Sequence, residues 1–119
     1  MSKSNCQILV TIVTLALSGF AAAKEITLDE AVGLMEECQK QRQENIAPLR
    51  EHAIEDCVAN KGRDREYCES YNRTFGNARP RAGGGMIPGM FWGLPVCEEA
   101  VAAEKYFNMN PSSRNYNSQ

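Results

Sequence analysis

The sequence is poor in the residues and spacings on which catalytic and metal sites are built. It has one histidine, one tryptophan and 8% aromatic residues among 119. Beyond residue 23 its cysteines are separated by 18, 10 and 28 residues, so no two stand at the close spacing of a zinc site. No Cys-x-x-Cys pair, haem-attachment motif, phosphate-binding loop or serine nucleophile elbow occurs. Gly83-Gly84-Gly85 lacks the preceding strand and following helix that a phosphate cradle requires. His52 has Asp56 one helical turn away, which reads as a solvated surface pair. A net charge of −2 is ordinary for a soluble protein and weighs against nucleic acid as a target. These absences predict a protein that is not an enzyme and has no catalytic, cofactor-binding or metal-binding residues.

Extended apolar runs are scarce too. Ile8 to Leu17 is ten residues long, against the roughly 20 that a membrane-spanning helix needs. It follows Lys3 and precedes Ala21-Ala22-Ala23, so residues 1–23 read as a signal peptide cleaved after Ala23. Cys6 lies before the apolar run, whereas a lipid-modified cysteine follows it. Cleavage leaves 96 residues, a net charge of −3 and four cysteines: Cys38, Cys57, Cys68 and Cys97. An even count in a short exported chain predicts structural disulfides, which small domains use to supplement a limited core. The expected location is the periplasm or the medium, with a bacterial source favoured.

What is present is a helical hairpin, from Thr27 to Phe75, around which the rest is organised. Lys24-Glu25-Ile26 ahead of it reads as loose. Thr27 and Glu30 spell a capping box. Apolar residues then fall at Leu28, Val32, Met35, Cys38, Ile46, Leu49, Ala53 and Cys57, a helical period interrupted around Arg42 by the polar run Gln39 to Glu44. This interruption projects into solvent or buries only the stem of Arg42. Pro48 predicts a kink, or two helices meeting at an angle. Gly62 closes the first arm, Asp64 caps the second, and Tyr67, Cys68, Tyr71 and Phe75 form its expected packing face. Residues 24–59 carry four basic and nine acidic side chains, residues 60–81 six and three. Packed antiparallel, the acidic arm lies against the basic one, either as mutual surface stabilisation or as a two-signed face that steers a partner. Arg63, Arg65, Arg73, Arg79 and Arg81 cluster around the aromatics. Asn72-Arg73-Thr74 spells a glycosylation sequon, of consequence only in a eukaryote.

Glycine and proline forbid a regular helix over residues 77–95. Yet seven of the eleven residues from Met86 to Val96 are apolar. Such a loop either folds back to complete a core or presents an adaptable surface, with Met86, Ile87, Met90, Phe91, Trp92 and Leu94 as the candidate interaction residues. Pro95 opens a last helix whose inward candidates are Val96, Cys97, Ala100, Val101 and Phe107. Residues 108–119, rich in Asn and Ser, read as a disordered tail, leaving 24–107 as one small domain.

Three disulfide pairings are possible. A turn centred near Gly62 sets Cys57 opposite Cys68 and leaves Cys38 for Cys97, the favoured arrangement. Pairing 38 with 57 demands a chain reversal at Pro48, since a continuous helix holds them about 28 Å apart. Pairing 38 with 68 and 57 with 97 demands an offset between helices and stays open. Each bridge contributes about 3 to 4 kcal/mol in the chain-entropy model.

Pro48-Leu49-Arg50, Ile54, Cys57, Cys68, Tyr71 and Gly76 resemble a pattern in small exported bacterial proteins of unknown function. The resemblance covers Cys38 to Gly76, implies an all-helical cysteine hairpin and transfers no active site. The Cys57–Cys68 spacing is also similar to eukaryotic twin-cysteine hairpins, although the second pair departs from that pattern. The chain is thus expected to be all-α: a disulfide-stapled hairpin plus a C-terminal helix and a Gly/Pro-rich apolar loop. Its expected role is that of a non-catalytic interaction module, an accessory or inhibitor protein with a protein partner. A membrane-surface protein anchored by the 86–96 loop and a thiol-based redox or metal protein are the alternatives. So small a core also makes a homodimer plausible.

Overall fold

The computed structural model describes residues 23–118. The expected signal peptide therefore lies, but for Ala23, outside the described residues. The fold is organised on one long helix, α1, Leu28–Lys61, against which both other helices pack. It starts where the capping box places it: the Glu30 N–H donates to Thr27 Oγ1 at 3.3 Å, and the Thr27 N–H donates to Glu30 Oε2 at 2.7 Å. The bond from the Thr27 N–H, with the hydroxyl bond beside it, holds the Glu30 carboxyl below the usual carboxylate range. The helix ends at Gly62, whose φ of 61° is the left-handed conformation that residue tolerates without strain. Pro48 sits inside this helix without dividing it, so of the two expected outcomes, a kink or two helices meeting at an angle, the division into two does not occur. Its ring lies on an exposed face, clear of the packed elements.

The buried positions of α1 are Ala31, Cys38, Arg42, Ile46, Ile54 and Cys57. The stripe is therefore not interrupted at Arg42; the arginine belongs to it. The apolar phase also differs from the expected one. Leu28, Val32 and Leu49 are more than two-fifths exposed, while Ala31 and half-buried Leu34 face the core. An alanine there admits the close approach of a neighbouring helix.

That neighbour is α3, Pro95–Met109, which packs along the first half of α1 through Cys97, Ala100, Ala103 and Phe107. Val101, expected inward, is 42% exposed. The second half of α1 receives α2, Arg65–Tyr71, capped by Asp64 accepting from the Tyr67 N–H at 2.9 Å. The disulfides join Cys38 to Cys97 and Cys57 to Cys68, fixing one short helix to each end of the spine. Among the described residues three small apolar clusters form in place of one core. Ile26, Ala31, Ala103 and Phe107 form the first; Cys38, Cys97 and Ala100 the second; Ile54, Cys57 and Cys68 the third.

The molecule is helix-rich, but the all-α expectation is corrected by two small antiparallel sheets. Strand β1, Lys24–Thr27, pairs with β4, Asn115–Ser118, setting Ile26 opposite Tyr116. The physical reason lies in those two side chains: Ile26 is fully buried, and the Tyr116 ring packs on Tyr106 with centroids 5.0 Å apart. The ends of the described chain are thus tied together, and the packed unit runs to Ser118, beyond the boundary expected at residue 107. Strands β2, Arg79–Pro80, and β3, Met86–Ile87, make a second ribbon that carries the glycine loop between them.

Gly76 is where this ribbon meets the spine. Its φ is 83°, and a Cβ there would lie 2.8 Å from Ile46 Cδ1. Ile46 is fully buried and cannot yield. Gly76→Ala is therefore expected to lower stability by about 1 to 3 kcal/mol, from overpacking added to backbone strain. Gly83→Ala is the control, since its φ of 96° is also positive but nothing lies within 4 Å. Urea denaturation of both variants checks this: the difference between them isolates the contact with Ile46.

Candidate functional site

The site is built from Arg42 outward. The polar run Gln39 to Glu44 marks a helix segment without apolar side chains, yet Arg42 is only 4% exposed. Its Nε donates to the Met90 carbonyl at 2.7 Å and its Nη1 to Gln39 Oε1, also at 2.7 Å. Nη2 makes a longer contact, 3.5 Å, with the Gly76 carbonyl. The guanidinium carbon stands 4.1 Å from the centre of the Trp92 ring. No carboxylate joins Arg42 in a salt bridge among the described residues. Carbonyl dipoles, an amide and an aromatic face therefore stabilise the buried charge. Burial disfavours the charged form and holds the guanidinium below its usual pKa. Only a planar group can donate in plane and stack on an indole at once, which is why arginine rather than lysine suits this position.

This clamp sets the conformation of the apolar loop. The Met90 N–H donates to the Gly76 carbonyl at 2.8 Å, while the Met90 carbonyl accepts from Arg42. Between that residue and Trp92, Phe91 adopts a φ of 61°, a left-handed conformation that costs a non-glycine residue about 1 kcal/mol or more. The strained turn aims one carbonyl at the guanidinium and returns the indole beneath it. Gly89 leaves the space: a Cβ there would stand 2.8 Å from Arg42 Nη2 and 3.0 Å from Trp92 Nε1.

The six candidate interaction residues do not share one environment. Met86 and Met90 are 58% and 40% exposed. Ile87, Phe91, Trp92 and Leu94 are half-buried, with Trp92 and Leu94 packed against the Cys38–Cys97 cluster. The loop thus covers part of the core with one set of side chains and presents the other.

Beside it, α2 differs from expectation. Of its predicted packing face only Cys68 is buried; Tyr67 and Tyr71 are 45% and 70% exposed, and Phe75 is half-buried. A seven-residue helix fixed by a disulfide has no need of three aromatic contacts to hold its place. The two tyrosine rings instead stack on each other, 6.0 Å apart and 16° from parallel, and the Arg63 guanidinium lies 5.1 Å from the Tyr67 ring. The steps 63, 67 and 71 could have signalled this ladder in the sequence. Tyr71 borders two adjoining depressions. One, about 420 Å³, is lined by Phe75, Arg79, Ile87, Pro88 and Met90 among others; the other, about 280 Å³, by Cys57, Lys61, Arg63 and Tyr67.

The charge contrast between the arms is satisfied at one point. Arg65 meets Glu55, with Glu51 at 3.3 Å and Glu69 at 3.4 Å, and these carboxylates, Glu55 foremost, raise its pKa. The other cations of the basic arm join no salt bridge among the described residues. His52 is exposed, and Asp56 accepts from Asn60 Nδ2, so these two do not form the expected pair. The sequon asparagine, Asn72, is buried, and its amide already donates to the Cys68 carbonyl at 2.8 Å, a poor placement for a glycan acceptor.

Among the described residues no three His, Cys, Asp or Glu side chains converge on a point, and no helix is long and apolar enough to cross a membrane. Two disulfides fit an oxidising environment. Comparison with protein-family models, with curated proteins and with solved structures found no match to this chain.

Proposed function

We propose that the protein is an exported, non-catalytic interaction module that holds the Met86–Leu94 loop ready for a protein partner. The observation that carries this reading is the Arg42 clamp. A buried cation, a strained Phe91 and a glycine with no room for a Cβ fix the loop backbone, while Met86 and Met90 stay exposed. Fixing a surface in advance lowers the entropy lost on binding, and methionine adapts to the shape of what it meets.

Cross-linking in the native exported fraction tests it. The wild-type protein is expected to form a discrete adduct, which Met86→Ser with Met90→Ser reduces about tenfold without moving the melting temperature. The same adducts from both proteins, or none from the wild type, would overturn the reading. The membrane-surface alternative has less support, because the Trp92 face that would enter lipid lies under Arg42. The thiol alternative needs cysteines outside the two bridges in which Cys38, Cys57, Cys68 and Cys97 are engaged.

A further inference from the structure

We infer that Tyr71 and the two depressions it borders form a track that binds an acidic, extended segment of the partner protein. This rests on the reading of the protein as an interaction module and names the chemistry of what it binds.

The first argument is charge. Lys61 and Arg63 line the smaller depression and Arg79 lines the larger, whereas no carboxylate among the described residues lines either. This occurs in a chain whose net charge is −2, so the basic character of the track is a local segregation. None of the three cations joins a salt bridge among the described residues, while Arg65, close by in sequence, meets three carboxylates. The charges that the fold uses and those that it leaves to a partner are thus separated. Rim cations of this kind draw an acidic partner in and set its orientation.

The second argument is the aromatic ridge between the cations. Tyr67 and Tyr71 are exposed, stacked and supported at one end by the Arg63 guanidinium. A stacked guanidinium keeps its N–H edges free to donate to a carboxylate. Exposed tyrosines flanked by arginine have the composition of binding hot spots, because large rigid rings lose little entropy on contact. Ile87, Pro88 and Met90 add apolar side chains to the larger depression, beside the polar Asn72, Thr74 and Asn77.

The third argument is layout. Lys61 and Arg63 share the smaller depression while Arg79 lines the larger, so the three cations together are not gathered around one small anion. A ligand that satisfies both sides carries carboxylates at its two ends and an apolar or aromatic side chain between them. An extended chain advances about 3.3 Å per residue, so about two residues cover the 6.0 Å between the Tyr67 and Tyr71 ring centres. The acidic face of α1 in a second copy carries the right charge, with Glu36 and Glu44 exposed, but on a helix rather than an extended strand.

The test is selection of random short peptides on the purified protein with both disulfides intact, followed by affinity measurement with the best peptide. Recovered sequences are expected to carry carboxylates flanking an apolar or aromatic residue. Arg63→Glu with Arg79→Glu should weaken binding about tenfold or more, with a steep salt dependence, and Tyr71→Ala comparably. Lys40→Glu, at a residue that lines neither depression, should leave it unchanged. Recovery of peptides without carboxylates, no enrichment at all, or indifference to the Arg63 and Arg79 changes would overturn the proposal. So would heparin or anionic vesicles binding in place of peptide, or a dimer by sedimentation that the same two changes dissociate. Its failure is distinguishable from that of the module reading. If native adducts survive Arg63→Glu with Arg79→Glu yet are lost in the Met86 and Met90 variant, the module stands and the track does not.

Discussion

Removing the Cys38–Cys97 bridge is expected to cost about 4 kcal/mol, and removing Cys57–Cys68 about 3 kcal/mol, in the chain-entropy model. The difference follows from sequence separations of 59 and 11 residues. Small domains are stable by about 0.05 to 0.15 kcal/mol per residue, so either loss is a large share of the total. The structural consequences should differ more than the energies. Cys97 holds α3 against the spine, and α3 carries Ala100, Ala103 and Phe107 into two of the three clusters. Trp92 and Leu94 pack on that same bridge. Cys38→Ala with Cys97→Ala should therefore release α3, redden Trp92 emission and weaken near-ultraviolet circular dichroism. Cys57→Ala with Cys68→Ala frees only α2, and Trp92 emission should hold. Urea denaturation of the two double variants, read by tryptophan emission and far-ultraviolet dichroism, checks the ranking. A larger loss from the second pair would contradict the picture of a spine with two independently stapled ends.

The spine itself is legible in the sequence, because its boundaries depend on local chemistry. Thr27 with Glu30 at one end and Gly62 at the other act through their immediate neighbours, and so does the Asp64 cap of α2. What the sequence does not disclose depends on contacts made at a distance. Arg42 looks like a break in an apolar stripe because its partners, the Met90 and Gly76 carbonyls, are 48 and 34 residues away. Tyr67 and Tyr71 read as core by hydrophobicity alone; the nearby disulfide makes their burial unnecessary. The C-terminal segment reads as a tail by composition, whereas a single aromatic residue, Tyr116, docks it opposite Ile26. In each case one side chain decides the outcome against the average character of its segment.

Arg42→Ala is the second large effect, and it acts on the candidate site directly. The substitution removes two charge-assisted hydrogen bonds and the stack on Trp92, and it leaves the Met90 carbonyl without its side-chain donor. Bonds to charged groups contribute about 1.5 to 3 kcal/mol each, but they share one guanidinium and do not add, so a loss of about 3 to 4 kcal/mol is expected. Arg42→Lys should recover little, since an ammonium cannot stack and donate in plane together. Arg42→Met should recover part of the packing and none of the hydrogen bonding. The position of the damage separates this variant from the cysteine ones. Cys38–Cys97 still holds α3, so the first consequence is release of residues 86–94 rather than loss of the helix pair. Phe91 then has no reason to keep its left-handed φ, and hydrogen exchange at Met90, now without the Gly76 carbonyl as a fixed acceptor, should accelerate. Hydrogen exchange by mass spectrometry on wild type and the three Arg42 variants, with their melting temperatures, is the measurement. Unchanged protection of residues 86–94 in Arg42→Ala would mean that the loop holds its shape without the guanidinium, and the clamp would lose its place as the basis of the site.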